Sequence, residues 1–176
     1  MLLGQARKMD NLITGILVYS RTGSGSVAKK SVKVAEVIGG VLDSLQVPAG
    51  FKVHLAETLP ELETEEIYLQ QIFGNLIGNA LKYHDKTEGN ITIGARKEGD
   101  AYTFCVADDG PGIPADRQER IFERFYTTGN TNGGESTGLG LSIVKKLVSQ
   151  KGGSVWVESE GRGAAFCLTW PVGPEA

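Results

Sequence analysis

The sequence predicts an α+β fold: a two-layer α/β sandwich whose mixed, mostly antiparallel sheet is covered on one face by three helices, with one more helix ahead of it. Three observations carry this expectation. Apolar runs are paired around short turns at Glu98-Gly99-Asp100 and at Gly161 to Gly163. Three stretches repeat apolar residues at helical spacing, and a glycine-serine segment separates the first helix from the main body of the chain. With 176 residues, 40% of them hydrophobic and 22% charged, the chain can bury a core, and wholesale disorder, a fibrous repeat and a membrane bundle are excluded.

From the N-terminus, Leu2, Ala6, Met9, Ile13, Ile16 and Ser20 step by four and three, the seam of a helix that packs lengthwise on another helix. Arg21 to Lys30, with Thr-Gly-Ser-Gly-Ser, is a connector by composition. The resulting division is a helix over residues 1–21, a linker over 22–30, the main domain over 31–172 and a tail over 173–176. In the main domain, Val34 to Leu45 reads as a helix, Phe51 to Ala56 as a strand, and Pro60 with Glu61 and Glu63 as a turn. Thr64 suits the N-cap of the next helix, which runs to Tyr83 with Glu65 and Glu66 in its first turn. Ile91 to Arg96 pairs with Tyr102 to Ala107, and Ser154 to Ser159 with Ala164 to Trp170. Between the pairs lie a long loop over 108–137 with one short helical patch, then a helix from Gly138 to Gln150.

A net charge of −3 and a pI near 5.5 argue against a nucleic-acid partner, whose phosphates call for an excess of Lys and Arg. The absence of a spanning apolar run or signal-peptide pattern leads to a cytoplasmic expectation without direct membrane contact. Cys105 and Cys167 sit in apolar strand-like runs and are expected as buried free thiols.

Glycine makes up 24 residues, roughly twice the ~7% of average usage, so glycines should mark turns and places where backbone approaches a ligand. On the Thr64 to Tyr83 helix, Leu69, Ile72, Phe73, Leu76, Ile77 and Ala80 form the buried stripe, while Gln71, Asn75, Asn79 and Lys82 fall within about 80° of one another on the opposite side. Amides are poor helix-interior formers, and three on one face suggest binding; the Asn79 carbonyl is a plausible hard ligand for Mg²⁺, with Lys82 facing the same phosphates. Asp108-Asp109-Gly110-Pro111-Gly112-Ile113-Pro114 follows a strand, where a carboxylate can accept a hydrogen bond from an exocyclic amine such as adenine's. By itself this is also an ordinary turn. Gly133 to Leu141 is a glycine-rich stretch opening a helix, a geometry that offers unpaired N–H groups to an anion.

In their order and spacing these segments resemble the catalytic ATP-binding domain of sensor histidine kinases, of the gyrase, Hsp90 and MutL type. NLIGNALKY resembles the N box of that family, DDGPGIP its G1 box, IFERFY its F box and TGLGLSIVKKL its G2 box. The segment from Arg7 to Arg21 is similar to the second helix of the dimerisation and phosphoacceptor hairpin. The resemblance implies a Bergerat-type fold with ATP and Mg²⁺ as ligands. It places Asn79 on the metal, Asn75 and Lys82 by the phosphates, Tyr83 near the nucleotide and Asp108 on the adenine amine. Gly110, Gly112 and Ile113 would shape the base pocket, and Thr137, Gly138, Leu139, Gly140 and Leu141 the phosphate site. Residues 113–137 would be a lid anchored by the aromatic pair Phe122 and Phe125, and Arg124 would meet the γ-phosphate. The implied activity is γ-phosphoryl transfer to a histidine, with Asn75, Lys82 and Arg124 in catalytic positions and a response regulator downstream.

The residues depart from that family pattern at two positions. Ser136 stands where the G2 box commonly has glycine, which implies a stiffer lid hinge. Asn75 stands where the gyrase-like hydrolases carry a glutamate base, and an amide takes no proton from water, so hydrolysis should be slow. Neither His54 nor His84 lies in the H-E-x-x-x-P setting of a phosphoacceptor, so the accepting hairpin is expected on another segment of a parent kinase. The lone N-terminal helix is expected either to pair with a copy of itself in a homodimer or to stay frayed.

Overall fold

The computed structural model describes residues 27–127 and 137–172. Its elements in chain order are β1 (Lys30–Lys33), α1 (Val34–Leu45), β2 (Phe51–Leu55), β3 (Glu61–Thr64), α2 (Glu66–Lys82), β4 (Gly89–Glu98), β5 (Ala101–Asp108), α3 (Gly140–Gln150), β6 (Val155–Glu158) and β7 (Ala164–Pro171). Two single 3₁₀ turns, Ala115–Arg117 and Arg120–Phe122, interrupt the long connection between β5 and α3. The main sheet has the order β2-β4-β5-β7-β6; β2 lies parallel to β4 and every other pairing is antiparallel, so it is mixed and mostly antiparallel as the two hairpins require. Among the described residues, no helix is long and apolar enough to cross a membrane.

Alternation along the strands sends one set of side chains toward the helices. Ile91 and Ile93 of β4, Phe104 and Val106 of β5 and Phe166, Leu168 and Trp170 of β7 are buried in one cluster with Val37 and Ile38 of α1, Leu69, Phe73 and Leu76 of α2 and Val144 and Leu147 of α3. Phe73 meets Phe104 edge to face across this layer, with ring centroids 5.8 Å apart. The core is thus the slab between one sheet face and three helices. It holds α2 over β5 with α3 beside it over β6 and β7, and this sets the place of the site.

Three expectations are corrected here. Glu61 to Thr64 is no turn: it is strand β3, antiparallel to β1 in a separate two-stranded sheet, with Leu62 and Thr64 buried and Glu61 and Glu63 exposed. β1 begins at Lys30, the last residue read as connector. Thr64 does not cap α2, because it is occupied in that ladder opposite Lys30; the cap position falls to Glu65, whose side chain makes no cap hydrogen bond. The Glu65 carboxylate is buried against the Lys151 ammonium at the far end of α3, which also lies 5.5 Å from the centroid of the Tyr68 ring. Finally, Cys105 and Cys167 are not free thiols. They are directly opposed across β5 and β7, on the sheet face turned away from the helices, with Cα atoms 4.1 Å apart and their sulfurs joined. The helix predicted over residues 1–21, the dimer expected through it, and the tail over 173–176 lie outside the described residues.

The disulfide and the buried carboxylate each have a measurable consequence. Without reductant, the unfolded chain should show no alkylatable thiol, and two after reduction. Opening a cross-link between residues 62 apart should cost about 4 kcal/mol by loop entropy, or roughly ten degrees in melting temperature. Two reactive thiols in the unreduced chain would contradict the bond. For Glu65, burial pushes the carboxyl up, but its hydrogen bond and attraction to Lys151 outweigh that and hold it below its ordinary value. A carboxyl lowered on folding contributes stability that is present above its unfolded pKa of ~4.3 and is lost as pH falls through the folded value. Glu65→Gln should therefore destabilise by about 2 kcal/mol at pH 7, and the gap to the unsubstituted chain should close below pH 4 in urea titrations.

Candidate functional site

The last turns of α2, the loop after β5 and the first turn of α3 meet at one end of the sheet. There they enclose a cavity of about 260 Å³ lined by Asn79, Tyr83, Asp108, Gly112, Ile113, Gly138, Gly140 and Leu141 from the predicted set. Ala80, Pro111, Pro114, Arg117, Ile121, Tyr126, Thr127, Ala164 and Phe166 complete its walls. The interior is a flat apolar slot with a few polar groups, the usual character of a small-molecule site.

The amide-bearing face of α2 divides between two places. Asn79 faces the cavity, and its backbone carbonyl accepts the Tyr83 N–H that ends the helix. Asn75 lies one turn earlier, donating its amide to the Gln71 carbonyl at 2.8 Å. Its own amide oxygen is turned onto α3, where a methyl group added to Gly140 would stand 2.6 Å from it. Gln71 and Asn75 line a separate cleft between α1 and α2. Lys82 does not line the cavity; its ammonium rests 5.6 Å from the centroid of the Tyr83 ring.

The loop after β5 is stitched to the turn between β6 and β7. Gly163 donates its N–H to the Gly110 carbonyl at 2.8 Å. The Ser159 hydroxyl accepts the Ile113 N–H at 2.8 Å and donates to the Gly163 carbonyl at 2.6 Å. The Gln118 amide donates to the carbonyls of Ile113 and Ser159, both at 2.9 Å. Gly112 has φ +80, and a methyl group there would stand 2.2 Å from the Gly161 carbonyl, so both its conformation and its contact require glycine. Ser159 and Gln118 were not legible as site residues, because each acts through a contact between loops that no local pattern announces, and Arg117 joins the cavity wall from the first 3₁₀ turn.

The two adjacent aspartates are placed differently. Asp108 is half-buried in the cavity wall and accepts the Gly110 N–H at 2.9 Å; burial pushes its carboxyl above the ordinary range. Asp109 turns outward and accepts the side-chain and backbone N–H groups of Asn90 at 2.9 and 2.8 Å, then the His84 ring at 3.0 Å, and these hold it well below the ordinary range.

Across the cavity, Phe122 is buried edge-on against Phe166, with ring centroids 6.3 Å apart. Phe125 is 73% exposed, so of the expected aromatic pair only Phe122 packs. Phe125 is nonetheless fixed at its backbone: its N–H donates to the Gly138 carbonyl at 2.9 Å, with Phe125 at φ 62 and Gly138 at φ +65. Arg124 does not line the cavity, and neither do Thr137 and Leu139. Leu139 is the residue before α3; its carbonyl accepts the Ser142 hydroxyl at 2.8 Å, and the first N–H groups of the helix point out of its N-terminus. Ser136 and the rest of residues 128–136, within the lid predicted over 113–137, lie outside the described residues.

Among the described residues, no three His, Cys, Asp or Glu side chains are grouped to hold a metal ion. A divalent ion here would draw on the Asn79 amide oxygen and on a ligand's own oxygens.

Comparison with known proteins gives the same picture. The family described as "Histidine kinase-, DNA gyrase B-, and HSP90-like ATPase" matches residues 64–174. "Cyanobacterial phytochrome B" of Nostoc sp. is 34% identical over 96% of this chain and 23% of its own length. "Methanogenesis regulatory histidine kinase FilI" of Methanothrix harundinacea is 33% identical over 94% and 19% respectively. The chain thus spans about a fifth of these relatives. Of the solved structures, full-length ShkA in complex with AMPPNP is 29% identical with a TM-score of 0.77, over 99% of this chain and 39% of that one. The catalytic domain of histidine kinase ThkA is 26% identical with a TM-score of 0.66, over 82% and 95%. The fold, the cavity at the ends of α2 and α3 and the match over residues 64–174 agree, and the chain belongs to the histidine kinase, gyrase B and HSP90-like ATPase family.

Proposed function

We propose that this chain is the ATP-binding catalytic part of a two-component sensor histidine kinase, and that it delivers the γ-phosphoryl group of ATP to a histidine on a phosphoacceptor hairpin. The observation that carries this reading is the meeting of Asn79, Asp108 and the first turn of α3 around one cavity, although the three come from segments distant in sequence. The Asp108 carboxylate accepts a hydrogen bond from the adenine amine, while Ile113, Ile121 and Phe166 sandwich the flat base. The phosphates run toward the N-terminus of α3, whose free N–H groups and dipole favour an anion.

Mg²⁺ fits this donor set: one amide oxygen from Asn79, with phosphates and waters making up the rest, is the sparse protein coordination that this ion tolerates. When bound it would neutralise phosphate charge. The protein's part is positioning: Lys82, the last residue of α2, and Arg124, in the connection between β5 and α3, would act at the phosphates, and catalysis rests on holding the γ-phosphorus in line with the entering nitrogen. In the transfer, an imidazole nitrogen of the acceptor forms a bond to the γ-phosphorus. The bond to the β,γ-bridging oxygen breaks, and ADP leaves with that oxygen. Asn75 offers no base to activate water, and its amide is held on the Gln71 carbonyl, which favours transfer over hydrolysis.

The same reading takes residues 1–21 as the second helix of a dimerising hairpin, 22–30 as its linker and 31–172 as the catalytic domain. It also places the parent kinase's ATP-using end in the cytoplasm, with a response regulator as the next phosphate acceptor.

Two measurements test the proposal. Asn79→Asp and Asp108→Asn should each weaken ATP binding at least tenfold by calorimetry while keeping the melting temperature within a few degrees; unchanged affinity in both would remove the site assignment. With labelled Mg-ATP and an acceptor hairpin supplied in trans, the chain should form an acid-labile phosphohistidine. Binding without transfer would point to a nucleotide-sensing module, and rapid turnover without an acceptor to a gyrase-type ATPase.

A further inference from the structure

His84 belongs to no motif, and its side chain is almost wholly buried between α2 and β4, outside the cavity. Such a group needs a reason, since an imidazole in the interior must satisfy two nitrogens. Here both are engaged. The Lys86 N–H points at Nδ1, 3.1 Å away, which makes Nδ1 the acceptor and leaves the proton on Nε2. Nε2 then donates to Asp109 Oδ1 at 3.0 Å. The ring also stands edge-on to Phe51, with centroids 5.1 Å apart, so it has one orientation.

Its contacts lead to the loop that carries Asp108. A methyl group on Gly110 would lie 3.3 Å from His84 Cδ2 and 2.8 Å from Asp108 Oδ1, so the imidazole and the Asp108 carboxylate flank the same glycine. A methyl group on Gly89 would lie 2.6 Å from His84 Nε2 and 2.9 Å from Asp109 Oδ1, so the hydrogen bond passes flush over β4's first residue. Asp108 is in turn held by the Gly110 N–H. His84 therefore closes the back of the Asp108-Asp109-Gly110 turn, while Asp108 forms its front.

We propose that His84 is a positioning residue for base selectivity: by gripping Asp109 and packing on Gly110, it fixes the direction in which the Asp108 carboxylate accepts a hydrogen bond, and so the preference for adenine over guanine. The inference rests on the adenine-reading role of Asp108. Adenine presents an amine at its six-position and guanine an oxygen, so a carboxylate held in one direction attracts the first and repels the second. A carboxylate free to turn loses that contrast.

The test compares ATP with GTP binding by calorimetry in the 176-residue chain. His84→Leu keeps an apolar body against Phe51 but has no donor, and the ratio of ATP to GTP affinity should fall tenfold or more. His84→Gln restores an N–H donor and should keep the ratio within threefold of the unsubstituted chain. A lower melting temperature in His84→Leu with the ratio intact would overturn the inference and leave His84 a packing residue. Should His84→Leu fail to fold, the unsubstituted chain decides: ring nitrogen resonances of His84 should shift on saturation with ATP and not on addition of equal GTP, and resonances indifferent to both would overturn it. The underlying reading fails separately, if the unsubstituted chain has no ATP preference or if Asp108→Asn retains it.

Discussion

Backbone meets backbone at the base of the cavity, and that approach is the constraint on which the site depends. At Gly112 the loop after β5 runs so close to the β6–β7 turn that a single methyl group would fall 2.2 Å from the Gly161 carbonyl. At Gly138 the start of the α3 segment runs as close to Phe125, where a methyl group would lie 2.6 Å from the Cα. These contacts do in three dimensions what the hairpin turns do in two: they fix where one segment passes another with almost no side-chain entropy lost. The walls are then set by the fold. Asp108 sits at the end of β5, Asn79 one turn before the end of α2, and Gly140 at the start of α3, and the packed slab of sheet and helices holds these three ends together.

The adjacent aspartates show how one dipeptide yields two chemistries from the same side chain. Alternation along β5 sends Asp108 inward, and Asp109, the first residue past the strand, turns outward onto Asn90 and His84. Burial raises the first, whose carboxyl has the Gly110 N–H as its near partner; three donors from Asn90 and His84 lower the second. The outward residue is thereby committed to structure, since each of its oxygens is already used. The inward one keeps acceptor capacity toward the cavity. A sequence reading of the DDG turn assigns the first aspartate by its place in the motif, but the second acquires its role only when β4 and the end of α2 are in place.

Much of the fold was legible because its signals are local. α1 begins and ends where the apolar spacing of Val34 to Leu45 does, and the strands of the main sheet fall within two residues of their predicted limits. What escaped was nonlocal. The four residues of β3 alternate in period two, but a run this short is read as a turn unless its partner β1, some thirty residues earlier, is known. The Cys105 to Cys167 bond depends on the register of β5 against β7, across a separation of 62 residues. α3 begins at Gly140 and not at Gly138 because Gly138 takes a positive φ, outside the helical region. Of the site, Asn79, Asp108, Gly112 and Gly140 were legible from composition and spacing, whereas Ser159 and Gln118 were not, since the bonds that bring them there cross between the β5 and β6–β7 loops.

Under the proposed function, the placement of Asn75 ties the fold to the choice of reaction. A carboxylate at that position, one turn from Asn79 and turned onto Gly140, would stand beside the phosphates with a proton-accepting oxygen. The amide there has its N–H on the Gln71 carbonyl and its oxygen against the first turn of α3, so it braces two helices and takes no proton from water. Replacing a base by a brace changes what the site asks of its second substrate. In the proposed transfer, water at the γ-phosphorus would be left without activation, whereas an imidazole would bring its own nucleophilic nitrogen and need only be admitted in line. On that reading one side chain biases the site toward transfer, and the same amide serves the α2–α3 contact, with its N–H on α2 and its oxygen against Gly140.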